Sequence, residues 1–197
     1  MADQNLVVIG GGGHALSVAD VVTDMVGVTL TGFIDAADDA PLTELGYQCL
    51  GNDDAIRCLV QAGYVFHVAI GQLVSPDRRI KAFDGLRALG ATVVNLVSVK
   101  AHISQHAKLA DNIFVGHGAV VNAGAQIGDN CIINTGCIIE HGAVIEPHCH
   151  IAPGAIILGG ATLGTGSFVG AGAIVREAVA LPAQTVIPAG EFRKQNV

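Results

Sequence analysis

The chain has 197 residues and a formal net charge of −7, and 51% of it is apolar while only 14% is charged. This composition excludes a disordered chain, and the negative charge argues against sequence-independent binding to nucleic acid. No apolar run approaches the roughly 20 residues of a membrane-spanning helix, and Met1 to Gln4 lack the basic flank of a signal peptide, so we expect a cytoplasmic protein.

Strand and helix patterns alternate through residues 1–96. Apolar runs predict strands over 6–9, 28–34, 64–70 and 91–96, and helical patterns cover 14–26, 53–62 and 75–89. This alternation is typical of a small parallel α/β domain, about half of a complete dinucleotide-binding fold. The expected first domain therefore has room for one nucleotide and its diphosphate.

A glycine-rich turn joins the first predicted strand to the first predicted helix. Gly10 to Ala15 satisfy the pattern G-x-G-x-x-A at a helix start, where backbone N–H groups can bind phosphate. Asp35 stands at the end of the next strand and could accept a hydrogen bond from a ribose hydroxyl or a base. The alternative is a tight turn that needs glycine only for its geometry, with His14 as a polar residue at the helix start.

Residues 97–197 repeat with a period of six. Every sixth residue from Val97 to Ile187 is aliphatic, and a mostly small residue stands four positions after each of them. This period fits neither a helix nor a plain alternating strand, and it predicts short parallel strands joined by tight corners and stacked as a β-helix. Cys131, Cys137 and Cys149 fall on the small inward position, so we expect packing residues rather than a disulfide or a catalytic thiol.

Histidine is the most prominent chemical group of the repeats. His141 occupies a corner of its hexapeptide, where a ligand or a neighbouring chain can reach it. Histidine exchanges a proton readily near pH 7 and is the usual general base, although a solvent-facing structural role is the alternative. A metal site at His148 and His150 is the weaker interpretation, because no carboxylates stand at suitable spacing, and we expect no metal.

Four motifs together resemble one enzyme family over nearly the whole chain. They are Val8–His14, Gly32–Asp35, His67–Gly71, and Asn134–Gly136 followed by Ile139–His141. With these motifs the chain is similar to the left-handed β-helix acyltransferases that acetylate sugars. That family includes N-acetyltransferases of UDP-4-amino sugars and of GDP-perosamine, and sialic acid O-acetyltransferases. The hexapeptides without the other motifs would indicate only the wider fold.

The resemblance implies an α/β half-Rossmann domain over residues 1–96, which holds a nucleotide sugar, and a left-handed parallel β-helix of hexapeptide repeats over 97–197. It also implies a homotrimer with acetyl-CoA as co-substrate between adjacent subunits, and no tightly bound cofactor. His141 would be the catalytic base, with Glu140 as a candidate to orient it. The residues implied to contact the nucleotide sugar are Gly12, Gly13, His14, Asp35, Ala36, Gly71 and Asn134. Those implied to contact acetyl-CoA are His150, Gly159 and Ala171.

Two positions depart from the family pattern. Relatives commonly carry Asp or Glu directly after the catalytic histidine, whereas this chain has Gly142, so another group must orient the base. Ala36 follows Asp35 where uridine-binding relatives have an acidic pair, which favours another base such as guanine.

The resulting prediction is an acetyl-CoA-dependent N-acetyltransferase of polysaccharide biosynthesis. Its acceptor would be the 4-amino group of a nucleotide-linked 4-amino-4,6-dideoxy sugar, of the GDP-perosamine or UDP-4-amino type. The amine would attack the thioester directly while the histidine removes a proton. The alternatives are a sialic acid O-acetyltransferase and a non-catalytic scaffold that binds nucleotide sugars.

Overall fold

A computed structural model describes residues 3–37, 39–72 and 75–195, and the chain divides into two units. The first unit comprises Met1–Gly71 and Asp77–Leu96, and the second comprises Gln72–Pro76 and Val97–Val197. The segment Gln72–Pro76, which precedes the predicted boundary at residue 96, groups with the second unit. In the described part of the chain, no helix is long and apolar enough to cross a membrane.

The first unit contains a parallel sheet with the strand order β3-β2-β1-β4-β5. The strands are β1 (Gln4–Ile9), β2 (Val28–Ile34), β3 (Gln48–Cys49), β4 (Val65–Val68) and β5 (Thr92–Val93). The helices are α1 (Gly13–Thr23), α2 (Ile56–Gln61) and α3 (Asp77–Ala88), and single 3-10 turns cover Pro41–Leu45 and Asp53–Ala55. The strand order reverses between β1 and β4. In open parallel sheets, ligands bind at such a reversal, beside the carboxyl ends of the strands.

The sequence patterns predicted most of these elements, with differences at the ends. Helix α1 ends at Thr23 instead of residue 26, because Gly27 takes a φ of +82° in the turn that leads into β2. The strand predicted over 91–96 is two short strands, β5 and β6 (Leu96–Val97). Strand β3 was missed, because a two-residue strand of Gln48 and Cys49 carries no apolar pattern.

The second unit is a left-handed parallel β-helix, as predicted. Each coil has three short strands, and each strand pairs with the strand eighteen residues further along, as Ile138 pairs with Ile156. The β12 face contains β6, β9 (Phe114–Val115), β12 (Ile132–Ile133), β15 (His150–Ile151), β18 (Phe168–Val169) and β21 (Val186–Ile187). The β13 face contains β7 (His102–Ile103), β10 (Val120–Val121), β13 (Ile138–Ile139), β16 (Ile156–Ile157), β19 (Ile174–Val175) and β22 (Phe192–Arg193). The β14 face contains β8 (Lys108–Leu109), β11 (Gln126–Ile127), β14 (Val144–Ile145), β17 (Thr162–Leu163) and β20 (Ala180–Leu181).

The aliphatic ladder forms the core of the β-helix. From Val115 to Ile187 every sixth residue is at most 4% exposed, and the small residues between them line the same interior. The three cysteines of this ladder are free and buried. Burial raises the pKa of the Cys137 thiol to about 12, so this thiol stays protonated at neutral pH. These findings confirm the packing interpretation of the cysteines.

One corner of the β-helix carries a ladder of polar side chains. Asn112, Asn130 and His148 all have positive φ, between 56° and 64°. The Asn112 Nδ2 donates to Asn130 Oδ1 over 2.8 Å, and the Asn130 Nδ2 lies 3.0 Å from His148 Nδ1. Because an amide NH₂ can only donate, His148 Nδ1 is the acceptor of this hydrogen bond.

Candidate active site

The first two glycines of the turn after β1 are required by the fold. Gly10 has a φ of +98°, and a Cβ there would lie 2.8 Å from Cγ1 of Ile70. A Cβ on Gly11 would lie 2.6 Å from the Phe33 ring. Side chains at these two positions would therefore clash with the core. Gly10 and Gly11 thus fit the alternative of a tight turn that needs glycine for its geometry.

The next two glycines are not required by the fold. Among the described residues, no heavy atom lies within 4 Å of a Cβ built on Gly12 or Gly13, and Gly12 has an ordinary φ of −76°. Gly12 is the N-cap of the 11-residue helix α1, and no described side chain caps it. The first N–H groups of a helix lack partners within the helix and attract anions. The open glycines leave that helix end accessible to a ligand.

Asp35 holds the glycine turn in place. Its Oδ2 accepts a hydrogen bond from the Gly11 N–H at 2.8 Å, and its Oδ1 accepts from the Ala37 N–H at 3.2 Å. The carboxylate is only partly buried, and Ala36 beside it is exposed. The sequence predicted only a ligand-binding role for Asp35. Its hydrogen bond to the Gly11 N–H was missed, because the two residues are 24 positions apart in the chain.

The predicted nucleotide-sugar residues of the first unit lie at one edge of the sheet. The glycine turn follows β1, Asp35 and Ala36 follow β2, and Gly71 follows β4. A Cβ on Gly71 would lie 3.5 Å from Cβ of His14 at the start of α1. The structure therefore places six of the seven predicted contacts at this edge of the sheet, and the seventh, Asn134, belongs to the second unit.

A buried histidine lies in β4, and sequence reasoning gave it no role of its own. His67 is 1% exposed, and its Nδ1 lies 2.9 Å from the carbonyl oxygen of Val94. Burial lowers the pKa of His67 to about 4, the hydrogen bond to Val94 opposes this, and the charge of Arg79 lowers it further. The imidazole is therefore neutral at physiological pH and donates its Nδ1 proton to the carbonyl.

His141 lies at the exposed corner that joins the β13 face to the β14 face. The Glu140 carboxylate accepts a hydrogen bond from the backbone N–H of His141 at 3.1 Å. Glu140 thus fixes the corner backbone and is not bound to the imidazole by this contact. Gly159 lies one coil further along, where its Cα faces the imidazole of His141.

Asn134 and His150 meet at the other end of β13. The Asn134 Oδ1 accepts from the Thr135 N–H at 2.8 Å, and its Nδ2 lies 3.5 Å from Nε2 of His150. His150 is 7% exposed, and its Nδ1 donates to the carbonyl oxygen of Gln72 at 3.0 Å. Ala171 is exposed at the same corner, two coils beyond Thr135. The β-helix therefore places its predicted contacts at two corners, with His141 and Gly159 at one and Asn134, His150 and Ala171 at the other.

The two units resemble known proteins separately and together. Residues 5–84 match the PglD N-terminal domain, and residues 142–177 match the bacterial transferase hexapeptide (six repeats). A histidine-to-asparagine variant of perosamine N-acetyltransferase from Caulobacter crescentus, in complex with CoA and GDP-perosamine, is 31% identical over 99% of this chain and 91% of its own, with a TM-score of 0.89. This chain belongs to the hexapeptide-repeat sugar acetyltransferases.

A second solved structure is similar over the whole chain. The acetyltransferase domain of PglB from Neisseria gonorrhoeae, in complex with acetyl coenzyme A, is 25% identical over 100% of this chain and 93% of its own, with a TM-score of 0.92. A search of curated proteins finds no significant match. The expected family, fold class and enzyme class are confirmed, and the family favours an enzyme over a non-catalytic scaffold. Among the described residues, no group of three or more His, Cys, Asp or Glu side chains is placed to hold a metal.

Proposed function

We propose that this enzyme transfers the acetyl group of acetyl-CoA to the 4-amino group of a nucleotide-linked 4-amino-4,6-dideoxy sugar. The observation that carries the proposal is the likeness, over 99% of the chain, to the Caulobacter crescentus enzyme that was crystallised with CoA and GDP-perosamine. Acetyl-CoA is then a co-substrate, which leaves as CoA after each turnover. The reaction needs no tightly bound cofactor.

The reaction proceeds by direct transfer. The neutral amine attacks the thioester carbonyl, a C–N bond forms, the C–S bond breaks, and CoA leaves as the thiol. His141 takes the proton from the amine and passes it to the departing sulfur. A covalent acetyl-cysteine intermediate in the β-helix has no support, because the Cys137 thiol is buried and its pKa is raised to about 12.

The nucleotide sugar binds at the carboxyl edge of the first unit's sheet. Its diphosphate lies at the N-terminus of α1, where Gly12 and Gly13 present backbone without side chains. The partial positive charge of the helix end compensates for the acidic character of the whole chain, whose net charge is −7. Asp35 and the exposed Ala36 lie beside this position, and we expect a guanine base because Ala36, and not a second acid, directly follows Asp35.

Acetyl-CoA lies against the β-helix with its thioester at His141. Gly159 is partly exposed and Ala171 is exposed, so both offer backbone to a ligand. His150 is 7% exposed, its Nδ1 donates to the carbonyl oxygen of Gln72, and its Nε2 edge lies next to Asn134.

The β13 face supports the proposed homotrimer. Five of its six outward positions are apolar and at least partly exposed, and they are Val120, Ile138, Ile156, Ile174 and Phe192, whereas the sixth is the exposed His102. The outward positions of the β14 face include the polar residues Lys108, Gln126 and Thr162. Three chains around a threefold axis would bury the apolar stripe and bring a neighbouring subunit to His141, which follows β13 directly.

A thiol-release assay tests the proposed function. The enzyme is incubated with acetyl-CoA and a panel of GDP-linked and UDP-linked 4-amino sugars, with CMP-linked sialic acid as the hydroxyl acceptor. We expect turnover with a 4-amino sugar and an acetamide product by mass spectrometry. Turnover only with sialic acid would replace the proposal with an O-acetyltransferase, and binding without any thiol release would refute catalysis. The cytoplasmic location and the role in polysaccharide biosynthesis stay predictions.

A further inference from the structure

The imidazole of His141 occupies the space that a side chain at position 159 would fill. A Cβ built on Gly159 would lie 2.6 Å from Cε1, 2.8 Å from Nε2 and 3.2 Å from Nδ1 of that ring. Real Cβ atoms do not approach other atoms that closely. The ring therefore lies against the bare backbone of the next coil, and any side chain at position 159 would displace it.

The corner itself does not require glycine at this position. Residues eighteen apart stack on one another, because the Gly142 N–H donates to the Ala123 carbonyl and the Gly160 N–H donates to the His141 carbonyl. In this stack, Ala123 precedes His141 and Glu177 follows Gly159, so the coil accepts a Cβ on either side. The φ of Gly159 also lies outside the left-handed region, which its neighbour Gly160 adopts with +66°. What distinguishes position 159 is the ring beneath it.

We propose that Gly159 is a positioning residue that holds the His141 imidazole in its reactive orientation through the missing side chain. This inference rests on the proposed role of His141 as the base. An exposed histidine at a corner samples several rotamers, whereas a ring packed against a backbone is restricted to few. The neighbouring carboxylate of Glu140 binds the His141 backbone N–H, so packing on Gly159 supplies the orientation that this hydrogen bond does not.

The substitution Gly159→Ala tests this role. Adding one methyl group displaces the ring, and we expect kcat to fall roughly 10²-fold, the loss typical of a catalytic group moved by about 1 Å. The KM of the nucleotide sugar should stay unchanged, and the pH profile of the residual kcat should match that of His141→Asn. In the His141→Asn background, Gly159→Ala should cause no further loss, because the ring through which it acts is gone.

The control is Gly85→Ala in α3, where no described heavy atom lies within 4 Å of the added Cβ, and which should leave kcat unchanged. If Gly159→Ala lowers the melting temperature, adding His141→Ala should restore it, since the clash is with the ring.

Full activity of Gly159→Ala beside an inactive His141→Asn would overturn this inference and leave the proposed function intact. A higher KM for acetyl-CoA that persists in the His141→Asn background would overturn it in favour of a contact with acetyl-CoA. Full activity of His141→Asn would instead refute the base itself.

Discussion

Acid should destabilise the first unit through His67. This residue is 1% exposed in β4 and donates its Nδ1 proton to the carbonyl oxygen of Val94, 2.9 Å away. Burial lowers its pKa from 6.5 to about 4. The substitution His67→Asn keeps an N–H donor for the carbonyl but removes the titrating group.

The magnitude follows from the two pKa values of His67. The unfolded chain binds a proton near pH 6.5, and the folded chain does so only near pH 4. Between these values the unfolded state holds more protons, so the free energy of unfolding falls as the pH falls from 6.5 to 4. A difference of about 2.5 pKa units, at roughly 1.36 kcal/mol each, corresponds to a loss of about 3 kcal/mol. This stability is fully present at neutral pH.

Tyrosine fluorescence during urea unfolding measures the effect. Both tyrosines, Tyr47 and Tyr64, belong to the first unit, and the chain has no tryptophan, so the signal reports that unit. We expect the stability advantage of the wild type over His67→Asn to shrink by about 3 kcal/mol between neutral pH and about pH 4. An advantage that does not change with pH would refute the buried neutral imidazole.

Four further substitutions test the two units. His141→Asn should lower kcat by roughly 10²- to 10⁴-fold in the thiol-release assay, with little change in CoA affinity. Gly12→Val should raise the KM for the nucleotide sugar strongly and leave that for acetyl-CoA nearly unchanged, because a side chain there blocks the diphosphate. Asp35→Ala should raise the same KM and also lower the free energy of unfolding by about 1–3 kcal/mol, measured with urea, because the glycine turn loses its acceptor. Ile156→Asp should give monomers by light scattering, whereas Thr162→Asp on the β14 face should not.

Each of these expectations has an outcome that contradicts it. A His141→Asn enzyme with more than about half of the wild-type rate would remove this residue from the mechanism. Equal effects of Gly12→Val on both KM values would separate the glycine turn from the nucleotide sugar. Unchanged unfolding of Asp35→Ala would show that its hydrogen bonds to the turn are dispensable. A trimeric Ile156→Asp variant would exclude the β13 face as the interface.

The sequence determined the architecture of the β-helix by itself. Each hexapeptide from Val115 to Ile187 supplies one buried aliphatic residue, mostly with a buried small residue beside it, so the pattern recurs locally without knowledge of distant contacts. The order of the main elements in the first unit was also predicted, because each helix and strand carries its own pattern of apolar residues. Strand β3 was missed because its pairing with β2, and not its composition, makes it a strand.

Four identical glycines could not be told apart in the sequence. Only the packed structure shows that Gly10 and Gly11 face the core whereas Gly12 and Gly13 face open space at the start of α1. The Nδ1 hydrogen bond of His67 also depends on Val94, 27 residues away, whose carbonyl reaches it through the pairing of β4 with β5. These distinctions come from neighbours that are distant in the chain.

The contact between His141 and Gly159 was likewise decided by the tertiary structure. A period of six predicts the length of one side of a coil but not the number of sides. Three sides place residues eighteen apart on top of one another, as the pairing of Ile139 with Ile157 shows, and any other number would have put a different residue beside the histidine. The sequence supplied the base and the glycine, and the closure of each coil after three strands brought them into contact.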